Sequence, residues 1–416
     1  MSYEPSNVTD ELELLTSKAS LQLDLALAAI SIHDTVLAKF VQEMEKEVDE
    51  ITNQLFIHTM LSARRPKEAT ENLLFIHVGN LVNFISDVSS NIAEIVFDGN
   101  PFKDRNNVFL YMHEFVDKAV VADESILIGK CEEDLQIQQL FGIDIMALKH
   151  DNEIILGYQH DFQVGDTLYL RGPSTNVAIF SEIVRGHIND YKIAESMLKN
   201  SVMMQSPSEL RSYEQKLLKI INFTTLMIDL GILGVINPQS GIKNTLIEYE
   251  KQIDELLREF QKDLLKSRRA DIVTEEETLG LLKLSTEFEM ISDAILTVGL
   301  GLKATERSYM HSVMKEAMAT AEDDINTIVV KRNSPYIGKT VHEVEMETEY
   351  SGEVFDIELI KRKNVVIPFP DEKTKIEFGD MLVVKSYHNS EALEEEDDEE
   401  EDDELVQAEH KRMVHG

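Results

Sequence analysis

From Glu11 to Phe40 apolar residues recur at steps of three and four, glycine is absent, and one break intervenes at His33-Asp34. That period predicts helix. A second helix is predicted over Thr35–Ser62, stopping before Pro66, and a third from Lys67 to Val96, closed by Asp98-Gly99-Asn100-Pro101. Three long helices joined by short turns make an antiparallel bundle. The same pattern returns from Ser208 to Leu302, with its first break at Pro238-Gln239-Ser240-Gly241. Between and after these stretches the period shortens towards two, which predicts strands. The first set is Ser125–Gly129, Gly142–His150, Glu153–Gly157 and Asp166–Gly172, with a hairpin turn at Asp151-Asn152 and helices over 130–141 and 174–184. The second set is Ile325–Val330, Glu353–Arg362, Val365–Phe369 and Asp380–Ser386.

These alternating stretches are copies of one another. Glu43–Ile51 (EMEKEVDEI) is echoed by Glu248–Leu256 (EYEKQIDEL), and the Ser-Asp of Ser86-Asp87 by Ser292-Asp293. Ile128-Gly129-Lys130 returns as Ile337-Gly338-Lys339, and Gly165-Asp166 as Gly379-Asp380. Order is preserved and the spacing drifts only slightly, as a few loop insertions would produce. The fold class predicted is multidomain, α and α+β: a helical bundle A over 8–100, a small α+β module B over 117–187, a bundle A′ over 208–302 and a module B′ over 322–388. An acidic, disordered tail is expected over 389–416, since Glu391–Glu404 holds 12 acidic residues and no basic one.

The chain has 416 residues, room for two to four domains, and 77 acidic against 40 basic side chains give a net charge of −37. A field of that sign repels phosphate backbones, so no nucleic-acid partner is expected. One cysteine, Cys131, excludes a disulfide framework within the chain. The opening residues MSYEPSNVTDELELL have no basic and apolar leader pattern, and Ile220–Ile236 is too short and too polar for a span. A cytoplasmic location is expected, extending to the inner face of the membrane through a partner.

Candidate chemistry lies first in the carboxylates. Glu45 and Asp49, Glu250 and Asp254, and Glu289 and Asp293 are each four apart, so each pair shares one helix face at about 6 Å. In A′ the two pairs fall on neighbouring antiparallel helices, where four carboxylates converge; in A the second pair is Asn83/Asp87. Hard oxygen ligands at close range suit a divalent cation such as Mg, Mn, Fe or Zn. In so acidic a chain, a solvated helix face is the plain alternative.

On these residues bundles A and A′ resemble the PhoU family, whose three-helix bundles carry paired acids of this spacing. The segment Asn83–Val96 (NFISDVSSNIAEIV) is similar to that family's third-helix pattern. The resemblance implies metal binding by Glu250, Asp254, Glu289, Asp293, Glu45, Asp49 and Asp87, and a role coupling phosphate or ion transporters to signalling. Modules B and B′ resemble the TrkA-C (RCK-C) module of potassium-conductance regulators. The marks are Gly129-Lys130, Lys149 and Gly165-Asp166, repeated as Gly338-Lys339, Lys361/Arg362 and Gly379-Asp380. That resemblance implies pairing of modules, within the chain or in a homodimer. It also implies a cleft for a small ligand such as cyclic di-AMP, lined by Ile360, Lys361, Arg362 and Ile367 and by Lys149 and Ile155.

No glycine-rich phosphate loop is present, so no nicotinamide or ATP site is expected, and no nucleophile or metalloprotease motif marks an enzyme. The leading expectation is a cytoplasmic regulator of cation (K⁺ or Mg²⁺) or phosphate transport, its membrane transporter on another chain. The alternative is a metal-binding accessory protein of phosphate signalling whose B modules are structural. A metal-dependent hydrolase built on the A′ carboxylates is a third.

Overall fold

The computed structural model describes residues 8–98, 108, 115–131, 135, 137–151, 153–156, 161–190, 192–194, 197, 210–236, 242–301, 323–332, 334–351, 355–362, 365–371 and 373–387. The expected tail over 389–416 and the break over 238–241 lie outside the described residues.

The break at His33-Asp34 separates α1 (Val8–Ile32) from α2 (Thr35–Ser62). His33 turns the chain with φ +52, and Asp34 caps α2 by accepting from the Val36 and Leu37 amides at 3.0 and 3.2 Å. Pro66 then sits in the first turn of α3 (Pro66–Glu94), where its missing N–H leaves no gap. The three helices bury a common apolar seam that includes Leu15, Leu25, Val41, Val48, Val88 and Ile92. Gln22 is fully buried in that seam, and its amide donates to the Val41 and Ser86 carbonyls at 3.0 and 3.3 Å. Ser86 Oγ donates back to Gln22 Oε1 at 2.5 Å, so one satisfied polar group ties all three helices.

Bundle A′ consists of α6 (Ser212–Ile236), α7 (Ile242–Arg269) and α8 (Glu275–Gly301). α7 buries Ile242, Leu246, Tyr249, Ile253, Leu257, Phe260 and Leu264, one stripe at helical spacing. α8 opens on a capping box: the Thr274 amide donates to Glu277 Oε2 at 2.6 Å and the Glu277 amide to Thr274 Oγ1 at 3.1 Å. The third helices of the two bundles pack on each other. Lys283 meets Glu94 at 2.8 Å and Asn91 donates to Glu287 at 3.4 Å. Position thus rises along α3 as it falls along α8, an antiparallel pairing of A with A′.

Module B is an antiparallel sheet of β1 (Phe115–Val120), β2 (Asp144–His150), β3 (Glu153–Ile155) and β4 (Thr167–Gly172), in the order β1-β4-β2-β3. The short α4 (Ile137–Phe141) and α5 (Ser174–Val184) belong to the same module, and Val177, Phe180 and Val184 of α5 share a core with Leu168 and Leu170. One expectation fails here: Ser125–Gly129 is not a strand. The Ser125 amide donates to Ala122 at 3.0 Å and the Ile128 amide to Ser125 at 3.5 Å, and the Lys130 amide that follows returns to Leu127 at 3.0 Å, so the stretch is a run of turns around buried Leu127. The edge strand is Phe115–Val120 instead, paired to β4. Module B′ has β5 (Asp323–Val329), α9 (Val341–Ser351), β6 (Phe355–Arg362), β7 (Val365–Pro368) and β8 (Met381–Tyr387). Its strand order, β5-β8-β6-β7, is that of B, and a register shift falls at Ile357/Leu359 as it does at Ile145/Ala147.

The chain divides into two compact units, Met1–Lys315 and Glu316–Gly416. Among the described residues one stretch, Asn72–Glu94, is long and apolar enough to cross a membrane. It is part of α3 and packs in the bundle against α1 and α2.

Candidate functional site

The helical faces that carry the paired acids do face one another. On α7 and α8, burial raises the pKa of Glu250, and the charges of Asp254 and Asp293 raise it further. Glu289 is raised by burial, then by Asp293 and Asp254; Asp293 is raised by burial, then by Asp254. The four carboxylates therefore share one electrostatic field across the two helices. Bundle A repeats this in weaker form. Asp87 on α3 is raised by burial and by the charges of Glu45 and Asp49 on α2. Asn83, standing where A′ has an acid, accepts from Thr52 Oγ1 at 3.0 Å and serves the helix contact. Among the described residues no group of three or more His, Cys, Asp or Glu side chains is disposed to hold a metal ion. The carboxylates are close enough for each to feel the others' charge.

In the modules, the Gly-Asp pair that opens the last strand forms a brace. Gly165 and Gly379 adopt φ +93 and +87, a left-handed turn that favours glycine. The following Asp is buried in both copies. Asp166 Oδ2 accepts from the Gln163 amide at 2.8 Å, and Asp380 Oδ2 from the Glu377 amide at 2.8 Å. The other lone pairs are taken by the last side chain of the preceding hairpin strand. His150 Nδ1 lies 2.7 Å from Asp166 Oδ1, and Arg362 bonds Asp380 at 2.9 and 2.8 Å.

This placement bears on the proposed ligand residues. Ile360 is fully buried in the core of B′ and Ile367 packs against that core; Ile155 packs against the core of B. Arg362 is spent on Asp380, on Glu377 at 2.7 Å and on the Lys375 carbonyl at 2.6 Å. Lys149 and Lys361 are half-buried on the hairpin strands.

A third cluster escaped the sequence reading. Asp34, besides capping α2, accepts from Lys118 Nζ at 2.8 Å and from Tyr169 Oη at 3.1 Å, joining bundle A to the sheet of B. Arg171 bridges Asp24 of α1 at 2.5 Å and Asp144 of β2 at 2.9 Å. Burial pushes Asp34 upward, but the Lys118 bond, the Leu37 amide and nearby lysine charges outweigh it, so its pKa stands below the ordinary value. Burial and the Asp34 charge push the Tyr169 phenol strongly up. Tyr169 and Arg171 alternate with core residues Leu168 and Leu170 on β4, and this second face is buried too, Arg171 on Asp24 of α1 and Tyr169 on Asp34. The available signal was a tyrosine and an arginine at alternating strand positions; their partner lies over 130 residues away.

Against known families, a PhoU domain model matches residues 12–96, the span of α1 to α3. No curated protein matches. Among solved structures, the GsuK channel is similar at 11% identity and a TM-score of 0.17, over 66% of this chain and 50% of that one. The GsuK RCK domain is similar at 11% identity and a TM-score of 0.16, over 69% of this chain and 63% of that one. The chain thus spans about half the length of that channel.

Proposed function

We propose that this chain is a cytoplasmic regulatory protein of cation (K⁺ or Mg²⁺) or phosphate transport, acting on a membrane transporter of another chain. The observation that carries the reading is the PhoU domain match over 12–96, together with a second acidic helical bundle in the same chain. In this reading the acidic faces of Glu45, Asp49 and Asp87 and of Glu250, Asp254, Glu289 and Asp293 are the working surfaces. Their crowded charge is what a divalent cation, or the basic surface of a transporter, would neutralise. The modules B and B′ pair and respond to a small ligand such as cyclic di-AMP, and differential affinity for that ligand provides the switch. The chain is not an enzyme.

One observation favours a narrower reading. Ile360, Ile367 and Ile155 contribute to module cores and Arg362 is committed to Asp380. Modules so arranged suit a structural role, with the chain a metal-binding accessory protein of phosphate signalling.

Capture of the tagged chain from solubilised membranes, with calorimetric titration of Mg²⁺, Mn²⁺, Fe²⁺, Zn²⁺ and cyclic di-AMP, tests both. Co-purification of a transporter, weakened by Glu289→Gln/Asp293→Asn, supports the first reading. Metal binding without a ligand response supports the second. Silence in every arm overturns both.

A further inference from the structure

The seventeen residues Ile51–Lys67 hold no aspartate or glutamate, in a chain with 77 acids against 40 bases, and they end on Arg64, Arg65 and Lys67. The stretch comprises the second half of α2, the turn after it and the opening of α3. Met60 and Leu61, at 64% and 67%, are the two most exposed large apolar side chains among the described residues. Ile57, also exposed, lies one helical turn before Leu61 on the same face. Exposed Leu73 of α3 stands alongside, because neighbouring Asn72 donates to the Thr59 carbonyl at 2.6 Å and to Ser62 Oγ at 2.8 Å. Arg64 and Arg65 are exposed in the turn beyond. Beneath this tip the helices are fixed, since buried His58 bonds buried Glu11 of α1 at 2.5 Å. Single exposed apolar residues are ordinary. Four at one hairpin end, beside two guanidinium groups, make an interaction surface.

Bundle A′ has the same hairpin with a different charge. Leu265, Leu279, Arg268 and Arg269 occupy the matching places. There Asp271 takes Arg268 at 3.1 Å, and Glu275, Glu276 and Glu277 open α8. Glu94, the last residue of α3, meets Lys283 near the start of α8, so the antiparallel pair carries the two tips at opposite ends. A flat surface therefore meets one tip at a time. The A tip is the one that is both apolar and basic.

From this juxtaposition we infer that the A tip is a contact site for an anionic lipid bilayer. Met60 and Leu61 enter the headgroup boundary, and Arg64 and Arg65 take up lipid phosphates. Apolar area and local positive charge add in such contacts. The negative charge of the whole chain does not forbid this, because salt screens distant charges beyond about 8 Å. The side chains stand at the end of a helical hairpin rather than along a groove, which suits a deformable surface better than a protein partner. The contact needs no transporter, so it goes beyond the proposed function and gives the chain its own hold on the membrane.

The chain has no tryptophan, so Leu61→Trp supplies a single reporter. The test is flotation of the full chain with vesicles of phosphatidylglycerol and phosphatidylcholine in equal parts, and with phosphatidylcholine alone. Circular dichroism confirms that each variant is folded. Wild type is expected to float with the anionic vesicles and to be released by high salt. Met60→Ser/Leu61→Ser and Arg64→Glu/Arg65→Glu are each expected to lower the partition about tenfold or more. Arg64→Lys/Arg65→Lys retains binding, because a lipid surface reads charge rather than guanidinium geometry. Leu265→Ser/Arg268→Ser at the A′ tip leaves binding unchanged. Emission of Leu61→Trp shifts to the blue on anionic vesicles, and that of Leu265→Trp does not. Unbound wild type, equal binding to both lipids, indifference to the A-tip variants or unmoved Leu61→Trp emission overturns the inference. Failure to float, joined to loss of transporter capture in Met60→Ser/Leu61→Ser, overturns it in favour of a protein partner at the tip. Failure of transporter capture beside intact vesicle binding counts against the regulatory reading alone.

Discussion

Arg362 holds the buried carboxylate of Asp380 with two nitrogens, Nε at 2.9 Å from Oδ1 and a terminal nitrogen at 2.8 Å from Oδ2. The carboxylate in turn fixes the Glu377 amide, so one ion pair ties the hairpin strand β6 to the turn that opens β8. Removing the guanidinium leaves a buried acid short of partners. Arg362→Met is expected to cost about 2–4 kcal/mol, and Arg362→Lys, which cannot make the paired contact, an intermediate amount. Urea unfolding of the full chain, read in the B′ transition, checks this. A loss within 0.5 kcal/mol, the scale of an ordinary surface change, would show the pair to be dispensable.

Module B makes the same brace with a titrating group. The pKa of His150 is raised by its bond to Asp166, which outweighs the opposing effect of desolvation, with the charges of Asp166 and Asp151 adding to it. The protonated imidazole is the partnered form. Its contribution is fully present below the ordinary value of 6.5 and is lost as pH rises through the raised one. Module B should therefore loosen on moving from mildly acidic to mildly alkaline buffer, while B′, braced by arginine, does not. His150→Arg is expected to abolish the difference. Hydrogen exchange of residues 144–150 and 355–362 across that range measures it, and equal protection profiles in wild type would refute it.

The contrast between these braces marks where sequence reading stops. The helices were legible because their apolar period is local, as the bounds of α2 at Thr35–Ser62 show. The carboxylate faces were legible because i,i+4 spacing and repetition are also properties of the string. In module B, Lys149 is the conspicuous basic residue of the hairpin. Whether it or His150 reaches Asp166 depends on strand register, which places His150 opposite Glu153 at the turn. β1 was missed because both of its faces are partly covered: Phe115, Val116 and Ala119 are buried while Val120 is exposed, and alternation fails. Asp34 was visible as a break, and its bonds to Lys118 and Tyr169 were not, since they depend on how a distant sheet docks.

That docking is itself testable. Tyr169→Phe removes one neutral donor and is expected to cost about 1 kcal/mol. Asp34→Ala also removes the α2 cap and leaves Lys118 unpaired, for about 2–4 kcal/mol. Because the Asp34 pKa is depressed, its contribution is present above the ordinary 3.8 and is lost as pH falls through the lower value. Limited proteolysis should release module B from bundle A more readily in Asp34→Ala than in Tyr169→Phe. Indistinguishable cleavage of both variants and wild type would mean that the junction is held by other contacts.

The carboxylates of A′ give the opposite sign. Burial and mutual repulsion raise Glu250, Glu289 and Asp293, so their ionised forms oppose folding. The penalty is absent in acid and is complete once pH has passed the raised values. Removing charge from the face should therefore stabilise the metal-free protein at neutral pH, by about 0.2–0.5 kcal/mol for each like-charge pair relieved. Glu289→Gln/Asp293→Asn is expected to raise the melting temperature of bundle A′ in chelator. Added divalent cation is expected to stabilise wild type and leave the variant unmoved, because the variant has lost the charge that the cation relieves. Wild type less stable in cation than in chelator, or a variant that responds equally, would separate these acids from any cation-dependent role. It would leave their shared face as a docking surface for a basic partner.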